Sequence, residues 1–292
     1  MTKIARAFFN VLVASSFLAL GTAAPARAWG PKGHEVVAML AEDRLSAKAA
    51  SKISKLLGRG VHLADIAGCA AEISNSSGPV RCASFTVAAD SGTAAWHVLA
   101  IPLASKPTVS SLDGFCGKAC LLSAIEAQRR VLGNARAARP DRQKALMYLV
   151  HLAGDLHQPL HCALDDASED SQERFGNAQT ILWQGRPHPL HQFWDDMLLT
   201  EDESLKVNAR GLVMRLETDF VEKDTASWLR GDFLREAALE SFAVARDTIY
   251  PQLERSEGTL GEQERRRMQA IVDERLERGG VRLAAWLEGA LR

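Results

Sequence analysis

Residues 148–161 read YLVHLAGDLHQPLH, and this stretch predicts how the chain folds around its chemistry. It has the composition of a helix, and Pro159 ends or kinks that helix because proline lacks a backbone N–H. His151 and Asp155 are four residues apart, so a helix places both side chains on one face, one turn apart. A neutral imidazole beside a carboxylate is a ligand set suited to zinc. The stretch therefore predicts a helix that carries part of a metal site.

A second pair of residues repeats this spacing, since HQFWD places His191 four residues before Asp195. A single histidine on a helix is more often a core or surface residue than a ligand, so one pair alone is weak support. Two pairs, together with a histidine just past Pro159, indicate a polynuclear catalytic site. The candidate ligands are His34, His97, His151, His161, His191, Asp155 and Asp195.

The rest of the chain is predicted to be mostly helical. Residues 75–93 are rich in Ser, Gly and Pro and are predicted to form a loop, and residues 180–186 could form a small hairpin. No linker or internal repeat divides the chain, so the fold class is predicted as all-α, one large helical domain with long loops around a metal-binding cleft. Helices are predicted over residues 34–57, 62–73, 121–132, 142–156, 190–200, 225–250 and 261–291.

The first 28 residues have the pattern of a secretory signal peptide. Lys3 and Arg6 precede a mostly apolar run from residue 8 to residue 20, which is too short to span a membrane. Residues 26–28 read Ala-Arg-Ala, a cleavage motif that would leave Trp29 as the mature N-terminus. We therefore expect a signal peptide at 1–28, a functional domain at 29–292, no stable membrane association, and a secreted or periplasmic protein.

The charge balance argues against a protein that binds nucleic acid through basic side chains. The chain has 35 Lys and Arg against 36 Asp and Glu residues, and residues 1–28 hold three of the basic ones and none of the acidic ones. A protein that neutralises phosphates with its own side chains is normally basic. Any attraction for nucleic acid would therefore have to come from bound cations.

Five cysteines are compatible with disulfides in an exported protein. A local Cys116–Cys120 bridge is plausible, and Cys69 with Cys82 would close a second loop. Cys162 is then left over beside His161, where it could be a buried free thiol or a soft additional ligand. The pairing is not fixed by the sequence.

Four motifs together resemble the zinc-dependent single-strand-specific nucleases of fungi, plants and bacteria, whose superfamily also contains bacterial zinc phospholipase C. The motifs are WGPKGH at 29–34, YLVHLAGDLHQPLH at 148–161, PLHQFWDDML at 189–198 and GGVRLAAWL at 279–287. The resemblance covers essentially the whole chain after residue 28.

This resemblance implies a cleft with three zinc ions. One ion would be bound by the α-amine and carbonyl of Trp29 together with His34, and Asp155 would bridge it to a second ion held by His97 and His151. The third ion would be held by His161, His191 and Asp195. The α-amine could serve only after cleavage behind Ala28, so that maturation would complete the site.

The resemblance also implies a mechanism. A hydroxide shared by the two close zinc ions would attack phosphorus, and the third ion would stabilise the leaving 3′ oxygen. Asp155, His151 and His97, which hold the bridged pair, are the residues we assign to catalysis. The substrate would be single-stranded DNA or RNA, or 3′-nucleotides, cleaved to 5′-phosphates by a protein expected to be a monomer.

Several positions depart from the family pattern. Its aspartate ligand of the bridged pair corresponds to Ala71, and a basic residue three positions later corresponds to Ser74. Glu72 could replace the missing carboxylate, and Asp65 is a less favourable substitute. A catalytically weakened zinc-binding protein is therefore an alternative hypothesis.

The base-binding positions differ too. An aromatic residue corresponds to Val98, which has no π face to stack on a base, and the residue that reads the base edge corresponds to Ala100. Trp183, Phe193 and Trp96 are other candidates for stacking, although core packing is the more common role of such residues. Phospholipase C activity is a further alternative. Those enzymes have an HxxxE ligand pair where this chain has His191-x-x-x-Asp195, and they lack the CxxxC loop found here at residues 116–120. Both differences favour a nuclease.

Overall fold

The computed structural model describes residues 29–165, 175–200, 208–220 and 224–292. These residues form a mostly helical domain, which confirms the all-α prediction, with two small antiparallel hairpins at its surface. The hairpins pair β1 (Val80–Cys82) with β2 (Phe85–Val87) and β3 (Thr180–Trp183) with β4 (Arg186–Pro189). The helices are α1 Pro31–Glu42, α2 Ala47–Leu57, α3 Cys69–Asn75, α4 Leu121–Gly133, α5 Arg139–His157, α6 Leu190–Gln192, α7 Leu198–Thr200, α8 Ala209–Phe220, α9 Phe233–Val244, α10 Tyr250–Arg255 and α11 Glu262–Ala290.

Helix α5 lies at the centre of the fold. Every residue from Ala145 to His157 is buried, so this part of the helix has no solvent-facing side. A helix that is buried all round must be enclosed by other elements, and α5 packs against α1, α3, α4, α9 and α11. The HLAGD pair is thereby placed in the interior of the protein.

The long helix α11 approaches α1 closely because Gly280 has no side chain. A Cβ atom at this position would lie 2.4 Å from the Cβ of Leu40. This contact explains the paired glycines of the GGVRLAAWL motif and fixes α1, which carries His34, against the C-terminal helix.

The predicted helix over residues 34–57 is in fact two helices. The Ser46 hydroxyl accepts a hydrogen bond from the backbone N–H of Ala49 and so begins α2 with an N-cap. Gly58, with φ of 104°, ends α2 as expected. The predicted helix over 62–73 is also divided, into a 3₁₀ turn at Ala64–Ile66 and α3.

The hairpin predicted at 180–186 is confirmed, whereas the hairpin formed by β1 and β2 lies in a stretch predicted to be loop. The predicted helix over 190–200 is confirmed, and it contains a π-helical segment, Phe193–Met197, between α6 and α7.

Two disulfides join loops to helices. Cys69 at the start of α3 is bonded to Cys82 of β1, and Cys116 is bonded to Cys120 just before α4. Cys162 is a buried free thiol. Both bridges match the pairing considered from the sequence.

The proposed signal peptide, residues 1–28, lies outside the described residues. Among the helices that are described, none is both long enough and apolar enough to cross a membrane.

Candidate metal centre

One group of buried ligand atoms surrounds an oxygen of Asp155. The Nε2 atoms of His34 and His151 each lie 3.5 Å from Asp155 Oδ1. The imidazoles of His34 and His151 stack with their ring centres 3.9 Å apart. Helix α1 supplies the first ring and α5 supplies the second ring and the carboxylate, as the i, i+4 spacing predicts.

The ligand atoms in this group have no hydrogen-bond partners. Both ring nitrogens of His34, Nε2 of His151 and Oδ1 of Asp155 are buried and unsatisfied. Leaving a buried polar group unpaired costs about 1–3 kcal/mol. The remaining nitrogen of His151, Nδ1, lies 2.9 Å from the carbonyl oxygen of Ala67 and donates to it, which leaves Nε2 as a ligand atom. These features fit a cation among the three side chains.

Gly154 provides the space for the His34 ring. A Cβ atom at Gly154 would lie 2.4 Å from His34 Nδ1 and 2.7 Å from its Cε1. The glycine of HLAGD therefore lets α1 place an imidazole directly against the backbone of α5.

His97 contacts the other oxygen of the same carboxylate. Its Nδ1 lies 2.8 Å from Asp155 Oδ2, and its ring centre lies 5.1 Å from that of His151. The three histidines predicted for the bridged pair are thus brought together around Asp155. The resemblance assigns His34 and His151 to different ions, whereas here both face Oδ1, so their division between two ions stays a prediction.

The second group consists of His161, His191 and Asp195. The Nε2 atoms of the two histidines are 3.0 Å apart. The Nδ1 of His161 lies 2.6 Å from the carbonyl oxygen of His97, and the Nδ1 of His191 lies 2.6 Å from that of Phe175. Since a carbonyl only accepts, each Nδ1 carries the proton of its neutral ring and each Nε2 presents a lone pair. Two facing lone pairs repel unless a cation lies between them, and ligands in a tetrahedral zinc site are roughly 3.3 Å apart.

Asp195 completes this second group and is held by a residue that the motif reasoning missed. Its Oδ2 lies 3.4 Å from His191 Nε2, and its Oδ1 accepts a hydrogen bond of 2.6 Å from Gln158 Nε2. Gln158 Oε1 in turn accepts from the backbone N–H of Leu160. The signal for Gln158 was its place inside HQPLH, next to two predicted ligands.

Burial sets the protonation of both groups. It lowers the pKa of His34 to about 3, with the charges of His161 and His97 adding to the effect, and it lowers the pKa of His191 to about 4. Burial also holds the pKa of His151 and His161 well below the usual value. These imidazoles are neutral near pH 7, which is the form that ligates metals.

The same burial raises the pKa of Asp195 well above its ordinary value, and the Gln158 hydrogen bond only partly opposes this. A nearby cation would reverse that shift by favouring the carboxylate.

Trp29 lies next in sequence to a residue that contacts the second group. Its side chain is fully buried, and the N–H of the following Gly30 donates to the carbonyl of Asp195 at 2.8 Å. This bond ties the start of the described chain to the helix that carries the second group. The role of its α-amine as a ligand stays a prediction.

Ala71 lies three residues before Ser74 in α3, so the two residues are spaced to share one side of that helix. The hydroxyl of Ser74 lies 3.1 Å from His97 Nε2, and the carbonyl of Ala67, just before α3, contacts His151. A carboxylate at 71 would therefore lie on the side of α3 that contacts His97, where this chain has only a methyl group.

The contacts of Asp65 and Glu72, the two suggested substitutes for the missing carboxylate, do not direct either side chain towards the histidines. Asp65 Oδ2 accepts from the backbone N–H of His62. Glu72 is exposed and lines an open cavity of about 440 Å³ with Asp65 and Glu35, at the junction of α1 and α3.

Two of the three aromatic candidates for base stacking are core residues, and the third, Trp96, is partly buried against the core. Trp183 and Phe193 are buried against each other with ring centres 6.3 Å apart, and Trp96 packs edge-on against Tyr148 at 5.0 Å. Cys162 is buried as well: burial raises the pKa of its thiol to about 12, and its Sγ lies 3.9 Å from the carbonyl of Leu156.

Comparison with known proteins finds one matching family model and several similar nucleases. A family model described as S1/P1 Nuclease matches residues 29–292. Nuclease S1 of Aspergillus oryzae (strain ATCC 42149 / RIB 40) is 26% identical over 281 residues, which cover 89% of this chain and 91% of that protein. Nuclease P1 of Penicillium citrinum is 28% identical over 222 residues, or 71% and 74% of the two chains. Endonuclease 4 of Arabidopsis thaliana is 32% identical over 155 residues, or 49% of each chain.

Proposed function

Because the chain belongs to the S1/P1 nuclease family, we propose that it is an exported, zinc-dependent phosphodiesterase that cleaves single-stranded DNA and RNA. It would also accept 3′-nucleotides and would release products that carry 5′-phosphates. The proposal rests on the family together with the two histidine and aspartate groups.

The observation that carries the metal requirement is the pair of Nε2 atoms of His161 and His191, 3.0 Å apart. Their Nδ1 atoms are both committed to carbonyl oxygens. A hydrogen bond between the two Nε2 atoms would need a proton on one of them, and the lowered pKa of both rings opposes the imidazolium form. A divalent cation satisfies both lone pairs.

The residues that would hold three zinc ions are those predicted from the sequence. His161, His191 and Asp195 would hold one ion. Asp155 would bridge the other two, its Oδ1 facing His34 and its Oδ2 facing His97, with His151 and the main chain of Trp29 completing the set. The Trp29 contribution requires processing between Ala28 and Trp29, which would couple activity to export to the periplasm or the medium.

When bound, zinc lowers the pKa of water to about 7 and neutralises phosphoryl charge, which supplies the nucleophile and the electrostatic stabilisation that phosphodiester hydrolysis needs. The protein itself holds the geometry. The carbonyls of Ala67, His97 and Phe175 orient three imidazoles, and Gln158 orients Asp195. Since these ligands are almost completely buried, little of their arrangement has to be reorganised when substrate binds.

A weakened zinc-binding homologue is the second candidate, and Ala71 is the observation that favours it. The missing carboxylate removes one anionic ligand beside His97 and His151. Such a protein would bind zinc and would turn over substrate slowly.

The test is hydrolysis of single-stranded DNA, RNA and a 3′-nucleotide, with phosphatidylcholine assayed in parallel. Chelation should abolish nucleic acid cleavage, and added zinc should restore it. His161→Ala should lower the rate by about 100-fold or more, while His62→Ala, a matched control at an exposed histidine paired with Glu42, should not. Chelator-resistant cleavage contradicts the proposal, zinc binding without cleavage supports the weakened homologue, and cleavage of phosphatidylcholine alone supports a phospholipase.

The proposed processing is tested by mass spectrometry of the exported protein. A mature chain that begins at Trp29 supports the α-amine ligand. Residues retained before Trp29 would rule that ligand out.

A further inference from the structure

The Ser74 hydroxyl stands where this chain departs from its family, and it forms the centre of a buried polar network. Ser74 Oγ lies 2.9 Å from the carbonyl oxygen of Ala70, 2.6 Å from Thr93 Oγ1 and 3.1 Å from His97 Nε2. Thr93 Oγ1 also lies 3.2 Å from the Tyr148 hydroxyl. Ser74 is 9% exposed, Thr93 is 1% exposed, and Tyr148 is fully buried.

His97 depends on such contacts more than the other candidate ligands do. It lies on the short 3₁₀ turn Ala94–His97, whereas His34 and His151 project from α-helices. Its side chain is 13% exposed, against 2% for each of the other two. The ring of His97 is therefore less enclosed by packing than the rings of His34 and His151.

The hydrogen bonds around Ser74 have one arrangement that suits a metal-bound His97. Ser74 has one hydroxyl proton, and when it donates that proton to the Ala70 carbonyl or to Thr93 Oγ1 its oxygen accepts from His97 Nε2–H. Thr93 has its own acceptor in the carbonyl oxygen of Asp90, 2.8 Å away. The His97 proton is then on Nε2, and its Nδ1 lone pair points at Asp155 Oδ2, 2.8 Å away. A lone pair facing a carboxylate needs a cation between them, so this arrangement matches a ligand pair on one ion.

The alternative arrangement suits a site without metal. Ser74 then donates to His97 Nε2, and Nδ1–H donates to Asp155. The Ser74 hydroxyl can rotate to act as an acceptor or a donor towards His97 Nε2. The basic side chain that corresponds to Ser74 in the nuclease family could only donate.

We propose that Ser74, supported by Thr93 and Tyr148, is a positioning residue that holds His97 with Nδ1 directed at the ion beside Asp155. The inference rests on the proposed function.

The experiment compares zinc affinity in wild type, Ser74→Ala, Ser74→Thr and Ser241→Ala by competition with a chromophoric chelator. Side chains that hydrogen-bond to metal ligands typically contribute about 10- to 100-fold to metal affinity. Ser74→Ala should therefore lower the affinity for one zinc ion by about that factor and leave the affinity for the other ions unchanged. Ser74→Thr keeps the hydroxyl and should recover affinity to within about 3-fold. Ser241→Ala removes another buried hydroxyl, one bonded to Leu156 and Arg275, and should leave zinc affinity unchanged.

Nitrogen-15 NMR of the histidine rings gives a readout that a merely structural role would not move. In the zinc-loaded wild type, His97 should carry its proton on Nε2, and this signature should be lost or mixed in Ser74→Ala. Thr93→Val should give a smaller change in the same direction.

Ser74→Ala with wild-type zinc affinity and an unchanged His97 tautomer would overturn the inference even if the protein is an active nuclease. If the wild-type protein binds zinc and Ser74→Ala binds it more weakly, but the wild type cleaves no nucleic acid, the proposed function alone is refuted. Wild-type protein that binds no zinc would refute both.

Discussion

Replacing Gly154 by alanine should remove a zinc ligand without unfolding the protein. The new Cβ would lie 2.4 Å from His34 Nδ1, whereas ordinary contacts begin at 3.4 Å. The His34 ring must therefore move by about 1 Å, well beyond the roughly 0.2 Å within which a metal–ligand distance normally stays. His34 should cease to act as a ligand, and zinc affinity at its ion should fall.

The effect on stability should be small because two terms oppose each other. Overpacking a core costs about 1–3 kcal/mol, and replacing glycine by alanine inside a helix returns about 1 kcal/mol. The chelated variant should thus be destabilised by about 0–2 kcal/mol in the free energy of unfolding. The measurement pairs denaturant unfolding of the chelated protein with zinc competition and nuclease rates.

Gly289→Ala is the matched control. Gly289 lies in α11, and a Cβ there would meet no atom within 4 Å. This variant should keep wild-type zinc content and rate while gaining a few tenths of a kcal/mol or more in stability. The reasoning is refuted if Gly154→Ala binds every zinc ion as tightly as wild type, because then His34 is not a ligand or its ring is not confined as described.

Three further variants or conditions have defined outcomes. Ala71→Asp should raise zinc affinity beside His97 by about 10-fold or more and raise the nuclease rate, and an unchanged affinity in a competition assay would show that residue 71 does not face the ion. With zinc chelated, stability should fall as the pH drops from 7.5 to 5.5, because the unfolded chain takes up protons below pH 6.5 that buried His34 and His191, with pKa of about 3 and about 4, do not. Each of these histidines should contribute a loss of about 1.4 kcal/mol, measurable as a lower denaturation midpoint, and a pH-independent midpoint would contradict the burial argument. Cys162→Ala should keep wild-type zinc content by elemental analysis, since its thiol is protonated and buried, and loss of zinc would make the thiol a ligand after all.

Sequence spacing predicted the parts of the site that local structure determines. His151 with Asp155, and His191 with Asp195, come together because a helix places residues four apart on one face. Helix α5 and the hairpin of β3 and β4 were predictable for the same reason, since their patterns are local. The joining of the two groups depended on the family resemblance rather than on spacing.

What the sequence did not reveal depends on tertiary contacts. The break before α2 arises from the Ser46 cap and was missed because the flanking residues all favour helix. The carbonyl partners of His151, His161 and His191 come from distant loops and leave no pattern in the sequence. Gln158 and Ser74 likewise acquire their roles only when α3, α5 and the helix carrying Asp195 pack together.

The most direct test of the central claim is anomalous diffraction at the zinc absorption edge from crystals of the exported protein. We expect three peaks, one between His161 Nε2 and His191 Nε2 and two on either side of the Asp155 carboxylate. The absence of a peak within bonding distance of both His161 and His191 would contradict the assignment of these histidines as zinc ligands.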